Sequence, residues 1–303
     1  MHPAELAILL HRALEVRLAR LQELLDKDHW ADDAEQLHQV RVAARRLGAV
    51  LDLVDAEVYP GHKGQRRALK RLVDILGLPR ELDVHAGHLA VHHREARTPA
   101  QAAVLEHLLE HVDRGRAKAR RTMEKDLARL KLPDLGRLLE VPTLQHPFQA
   151  VSLQEAAWAC LEPRAAAALG DLAILAAQED ATALHRARVK IKKLRYAIEA
   201  LESAFAEPPE PVLKALRDLQ TVLGDHHDRA ALEALLWELE AQLRLRGRAA
   251  LCGGVLELLG EVAESRRATF ERFAALAQGQ DPTAFARTVR PALGLSPAEG
   301  FRA

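Results

Sequence analysis

The sequence predicts an all-α protein, and three observations predict it. Apolar residues recur at spacings of three and four along the chain, alternating runs of β-branched residues are absent, and capping residues, Gly and Pro punctuate the pattern at helix-length intervals. The same order of elements then occurs twice. Each half offers several antiparallel helices joined by short loops, which is how helix bundles are built.

After Pro3, a first helix carries Leu6, Leu10, Leu14, Val16, Leu18, Leu21 and Leu25 and stops near Asp28-His29. Asp32 or Asp33 caps a second helix that ends at Tyr59-Pro60-Gly61. Gln65 to Leu76 forms a third, with Arg66, Arg67, Lys70 and Arg71 on it, closed by Gly77 and Pro79. A fourth begins near Arg80. Thr98, Pro99 and Gln101 give a strong start signal for a long fifth helix, which holds Arg114, Arg116, Lys118, Arg120 and Arg121 without an acid among them. Pro133, Pro142 and Pro147 mark the boundary between halves, residues 1–145 and 146–303. In the second half Ser152 and Glu155 make a capping box and Asp180 caps the next helix. A short helix then runs through Lys214 and Arg217, and Gly224-Asp225 opens another.

The chain is organised around Leu184 to Tyr196, LHRARVKIKKLRY, which carries six cations and no carboxylate. At about 100° per residue, Leu184, Ala187, Ile191, Leu194, Ile198 and Leu201 form an apolar stripe. His185, Arg188, Lys192 and Arg195 fall together beside it. Residues 37–48, LHQVRVAARRLG, repeat the motif: an offset of 147 carries Leu37, His38, Arg41, Val42 and Leu47 onto Leu184, His185, Arg188, Val189 and Leu194. Arg45 and Arg46 meet Lys192 and Lys193, and the offset also holds from Leu76-Gly77 to Leu223-Gly224. This predicts a tandem duplication, each half long enough to bury its own core.

Lys and Arg number 43 and Asp and Glu 43, so the two motifs are local concentrations of charge in a chain of zero net charge. Charged residues on an amphipathic helix ordinarily form its solvated face, but such faces mix signs, and neither motif contains an acid. Like charges at helical spacing repel unless an anion relieves them. Arg and Lys suit phosphate oxygens. For His38 and His185, a structural imidazole and a ligand contact both remain open. Two cysteines outside any zinc or redox spacing point to a reducing, cytoplasmic compartment, and neither a signal peptide nor a membrane span is expected.

The sequence also offers residues for two other functions. His85, His88 and His92 stand at i, i+3 and i+7, and Asp225, His226, His227 and Asp228 cluster at a helix start, so either set suits a divalent metal for phosphoester hydrolysis. The first set has no counterpart at positions 232, 235 and 239, and no phosphate-binding glycine loop is present, which favours a non-enzyme without metal or cofactor. Nucleic acid is disfavoured because aromatics make up 4% of the chain and a single one, Tyr196, lies in a basic motif.

LHQVRVAARRL and LHRARVKIKKLRYAIEAL resemble the paired signature helices of the CHAD family, the conserved histidine α-helical domain. The likeness continues at KRLVDILGLPRELDV (70–84) and LRDLQTVLGDHHD (216–228) and covers nearly the whole chain. It implies two four-helix bundles related by pseudo-twofold symmetry, with a basic groove between them that binds inorganic polyphosphate. By position, the implied binding residues are His38, Arg41, Arg45, Arg46, Lys70, His185, Arg188, Lys192, Lys193, Arg195 and Arg217. Such binding fits association with polyphosphate granules, protection of the polymer or its presentation to another enzyme. Two departures bear on the groove's symmetry: Gly48 stands where the motif usually continues with Arg, and His226-His227 replace the Arg-containing turn that Arg80 preserves.

Overall fold

A computed structural model describes residues 3–57, 63–130, 152–247 and 249–297. Among them are eleven α-helices and no strand: α1 (Pro3–Leu25), α2 (Ala34–Glu57), α3 (Lys63–Ile75), α4 (Gly77–Arg94), α5 (Pro99–Arg129), α6 (Leu153–Leu169), α7 (Leu172–Ala177), α8 (Ala181–Ala200), α9 (Glu210–Leu245), α10 (Ala249–Ala277) and α11 (Pro282–Ala292). The expected end of α2 at Tyr59-Pro60-Gly61 and the boundary at Pro133, Pro142 and Pro147 lie outside the described residues.

Local chemistry sets the helix starts. The Asp33 carboxylate accepts from Gln36 N at 2.7 Å, ahead of α2. Thr98 accepts from Gln101 N, with Pro99 opening α5. Ser152 and Glu155 form a reciprocal capping box, and Asp180 accepts from Thr182 N and Ala183 N. Each satisfies donors that a helix leaves without partners in its first turn.

Two of the expected breaks differ. α4 resumes at Gly77, directly after Leu76, because Pro79 falls in a first turn, where its missing N–H costs nothing. In the second half the corresponding break does not exist. α9 runs unbroken through Gly224 for 36 residues, since an internal glycine weakens a helix by about 1 kcal/mol and does not stop it.

The halves do not bury separate cores. Leu10, Leu14 and Leu21 of α1 and Leu37, Leu47 and Leu51 of α2 share one core with Leu161 of α6, Ile191 and Leu194 of α8, Leu219 of α9 and Phe273 of α10. A second core joins Leu89 of α4 and Val104, Leu105 and Leu108 of α5 to Leu236 of α9 and Val255 of α10. A two-helix hairpin has one apolar side to bury, so α4–α5 closes on the distal ends of α9 and α10. Backbones meet closely there: a Cβ on Gly254 would stand 2.5 Å from the Ala100 carbonyl oxygen.

Two cations of the acid-free run on α5, Arg116 and Arg120, belong to this scaffold. Asp83 of α4, its side chain 3% exposed, accepts from Arg116 at 2.8 Å and Arg120 at 3.2 Å. Arg120 also donates to the carbonyls of Ala31 and Asp32, fastening α5 to the turn before α2. No described helix is long and apolar enough to cross a membrane.

A candidate cationic cleft

The motif helices α2 and α8 pack against each other, and α3 flanks them. Their apolar stripes are buried: Leu37, Val40, Leu47, Leu184, Ile191 and Leu194 are at most 1% exposed. The neighbouring cationic positions are thereby turned to the surface between the helices, around a cleft of about 650 Å³.

Six of the residues expected at the site line this cleft: Arg45 from α2, Lys70 from α3, and His185, Arg188, Lys192 and Lys193 from α8. Cations from both motifs therefore share one space. Three more, Lys63, Arg66 and Arg67, line it from α3 and were not among the expected site residues. Their signal was present, since positions 63, 66, 67 and 70 are spaced i, i+3, i+4 and i+7 and must share one helical face. Asp52 is the acid among the lining residues, and it accepts from Arg66 at 2.5 Å.

Arg41 and His38 do not line the cleft. Arg41 donates through Nη1 to the Val73 carbonyl, and a Cβ on Gly77 would stand 3.3 Å from that nitrogen. Burial, reinforced by Arg45, brings the Arg41 guanidinium down to about 10. His38 is pushed below the usual imidazole range by burial and then by Arg80.

The strongest perturbation is at Lys192. Burial and the cations Arg188, Arg45, Arg195 and Arg41 lower its ammonium to about 7. Burial likewise lowers Arg45, with Arg188 adding to the effect. Among the described residues, Nε of Arg188 and Nδ1 of His185 are buried and have no hydrogen-bond partner. A cluster of this kind is a field in want of an anion.

Three expected residues are engaged elsewhere. Glu199 pairs with Arg195 at 3.3 Å and Arg46 at 3.4 Å, and the two guanidinium carbons lie 5.0 and 5.9 Å from the Tyr196 ring centre. Arg217 is paired with Glu210. The repeat is also asymmetric at Gly48. A Cβ there would meet nothing within 4 Å, so the α2 wall is open toward α3, whereas its repeat counterpart Arg195 folds onto Glu199 and Tyr196.

The histidine and aspartate clusters are divided by the fold. His226, 1% exposed, turns inward to Glu179 at 2.7 Å, and His227 turns to His185. Asp225 and Asp228 instead face His85, His88 and His92 across a separate cleft of about 300 Å³, which Arg229 also lines. His88 Nδ1 is 3.9 Å from Asp228 Oδ2. Among the described residues, no three His, Cys, Asp or Glu side chains are arranged to hold a metal ion.

Fold and cleft together define an all-α protein whose paired motif helices meet at a concentrated positive charge. A family model for the CHAD domain matches residues 12–237, and the chain belongs to that family. Among solved structures, it is similar to PptA from Streptomyces chartreusis, at 18% identity over 89% of this chain and 98% of that one, with a TM-score of 0.68. It is also similar to the CHAD domain from the plant Ricinus communis, at 24% identity over 86% of this chain and 90% of that one, with a TM-score of 0.59. These likenesses establish the shared fold. No curated protein matches the chain in sequence.

Proposed function

We propose that the cleft binds inorganic polyphosphate electrostatically and that the protein acts by binding, without turnover. The observation that carries this reading is the convergence of Arg45, Lys70, Arg188, Lys192 and Lys193, from both motifs and α3, on one cleft in a chain of zero net charge. Arg supplies paired donors for phosphate oxygens and Lys a point charge. A linear polyanion satisfies such a row at successive phosphates. Bound polymer would also draw the protein to polyphosphate granules.

Nucleic acid fits the cleft less well. Single-strand binders stack bases on open aromatic faces, and Tyr196, the one aromatic residue besides His185 on the wall, is 7% exposed and flanked by Arg46 and Arg195. The test is a titration of the purified protein with labelled polyphosphate against single-stranded DNA of matched charge, repeated across salt concentrations. Preferential retention of polyphosphate, with affinity falling log-linearly as salt rises, is the expected result. A salt-insensitive affinity, or displacement by DNA at equal charge, overturns the proposal. Incubation with Mg2+, Mn2+ or Zn2+ should release no orthophosphate above a blank, and release abolished by His227→Ala would make the protein an enzyme.

A further inference from the structure

The ring of His185 on α8 lies against that of His227 on α9, with centroids 4.4 Å apart and planes tilted by 44°. Both positions have repeat counterparts at the offset of 147: His185 follows His38, and His227 follows Arg80. In the first half, Arg80 is the strongest charge acting on His38. In the second half, a cation acting on His185 is Arg188 of its own helix, and the partner ring is a second imidazole. The same corner of the repeat thus holds a permanent guanidinium in one half and a titratable ring in the other.

We infer that His185 and His227 form a phosphate subsite at the end of the cationic cleft, one that engages an anion only when protonated. The inference rests on the polyanion reading of the cleft. His185 lines the cleft itself, and its buried Nδ1 has no hydrogen-bond partner among the described residues, so a donor is available once the ring carries a second proton. The surrounding charges select the ligand's sign. Arg188 acts on both rings and Lys192 on His185, while Arg41 and Arg45 of α2 add to the field around Lys192. Facing them are two acids, Glu81 of α4, which acts on both rings and on Arg41, and Asp228, beside His227. A metal ion entering between the rings would meet Arg188 and Lys192; a phosphate would be attracted by them.

Without ligand, burial and the neighbouring cations hold both imidazoles below their usual range, so they are neutral near pH 7. A bound phosphate reverses the balance and raises them. Binding then takes up protons, and affinity falls as pH rises through the values of the complex. The first half, with Arg80 at the equivalent place, holds one titratable ring at that corner, His38, where the second half holds two.

The experiment measures the dissociation constant of the full chain for labelled inorganic polyphosphate from about pH 5.5 to about pH 8 at fixed ionic strength. Wild type should weaken as pH rises. His227→Arg should bind more tightly at the upper end and lose one proton from the slope, about a tenfold smaller change per pH unit. Lys192 contributes a slope of its own, which persists in His227→Arg and is removed in Lys192→Arg. His185→Gln, which puts a neutral side chain in place of the ring that lines the cleft, should also lose one proton from the slope, and it decides the question if His227→Arg folds poorly. An unchanged slope in His227→Arg with a wild-type melting temperature, or in His185→Gln, overturns the inference. Failure of wild type to bind polyphosphate at any pH would remove the reading of the cleft instead.

Discussion

Arg188 lies with its guanidinium against the backbone of Gly224: a Cβ there would stand 3.3 Å from both Nε and Nη2. Arg41 repeats the relationship at Gly77, with the same offset of 147. In each half, a motif arginine reaches a neighbouring helix at the point where that helix has no side chain. The glycine is a socket for a charge, which is why a residue that reads as a helix break sits inside α9.

Gly224→Ala should therefore separate stability from binding. Alanine at an internal helix position favours the helix by about 0.5–1 kcal/mol, and the atom it crowds is the far end of a flexible side chain. The melting temperature should hold or rise while polyphosphate affinity drops severalfold, because Arg188 is moved off its position. Loss of stability with unchanged affinity would show that the close approach serves packing alone.

Removing charge in pairs should distinguish cleft residues from engaged ones. Arg188→Ala with Lys192→Ala, and Arg45→Ala with Lys70→Ala, should each weaken binding about a hundredfold or more, since a charge-assisted phosphate contact is worth roughly 1.5–3 kcal/mol. Arg217→Ala, which removes an exposed partner of Glu210, should change affinity by no more than about twofold. Titration of the three variants beside wild type checks both statements. Equal losses in all three would mean that general charge, not the cleft, determines affinity.

Lys192 should reduce the stability of the ligand-free protein near neutral pH. Its folded value, about 7, lies below its unfolded one, so the unfolded chain binds more protons between the two. The penalty is full below the folded value and fades as pH rises toward about 10. Lys192→Met should raise the melting temperature at pH 7, and its advantage over wild type should shrink steadily at higher pH. An advantage independent of pH would assign the effect to packing.

Asp83 supplies a structural control. Asp83→Ala leaves Arg116 and Arg120 without their buried acceptor and should cost about 3 kcal/mol, at the low end for a broken buried pair because both arginines still reach water. Denaturant unfolding measures the loss. Polyphosphate affinity of the folded fraction should stay as in wild type, since Asp83 lies outside the cleft.

The sequence by itself determined the all-α class, the caps at Thr98, Ser152 and Asp180, and the two acid-free helices with their buried stripes, because each depends on groups within about four positions of one another. It also displayed Arg66, Arg67 and Lys70 on one helix without showing that α3 turns them toward α8. Only the tertiary structure decided how the other cations are placed: Arg46 reaches Glu199 of α8, Arg116 and Arg120 reach Asp83 of α4, and Arg188 and Lys192 meet other cations, whereas the pairs Arg195–Glu199 and Arg217–Glu210 lie within single helices. The tertiary structure alone also set the cores across both halves and split His226 from His227. A helix's periodicity specifies which face is apolar, but the partner of a charge on its other face is chosen by packing with residues up to 182 positions away, as Arg17 on the Glu199 carbonyl shows.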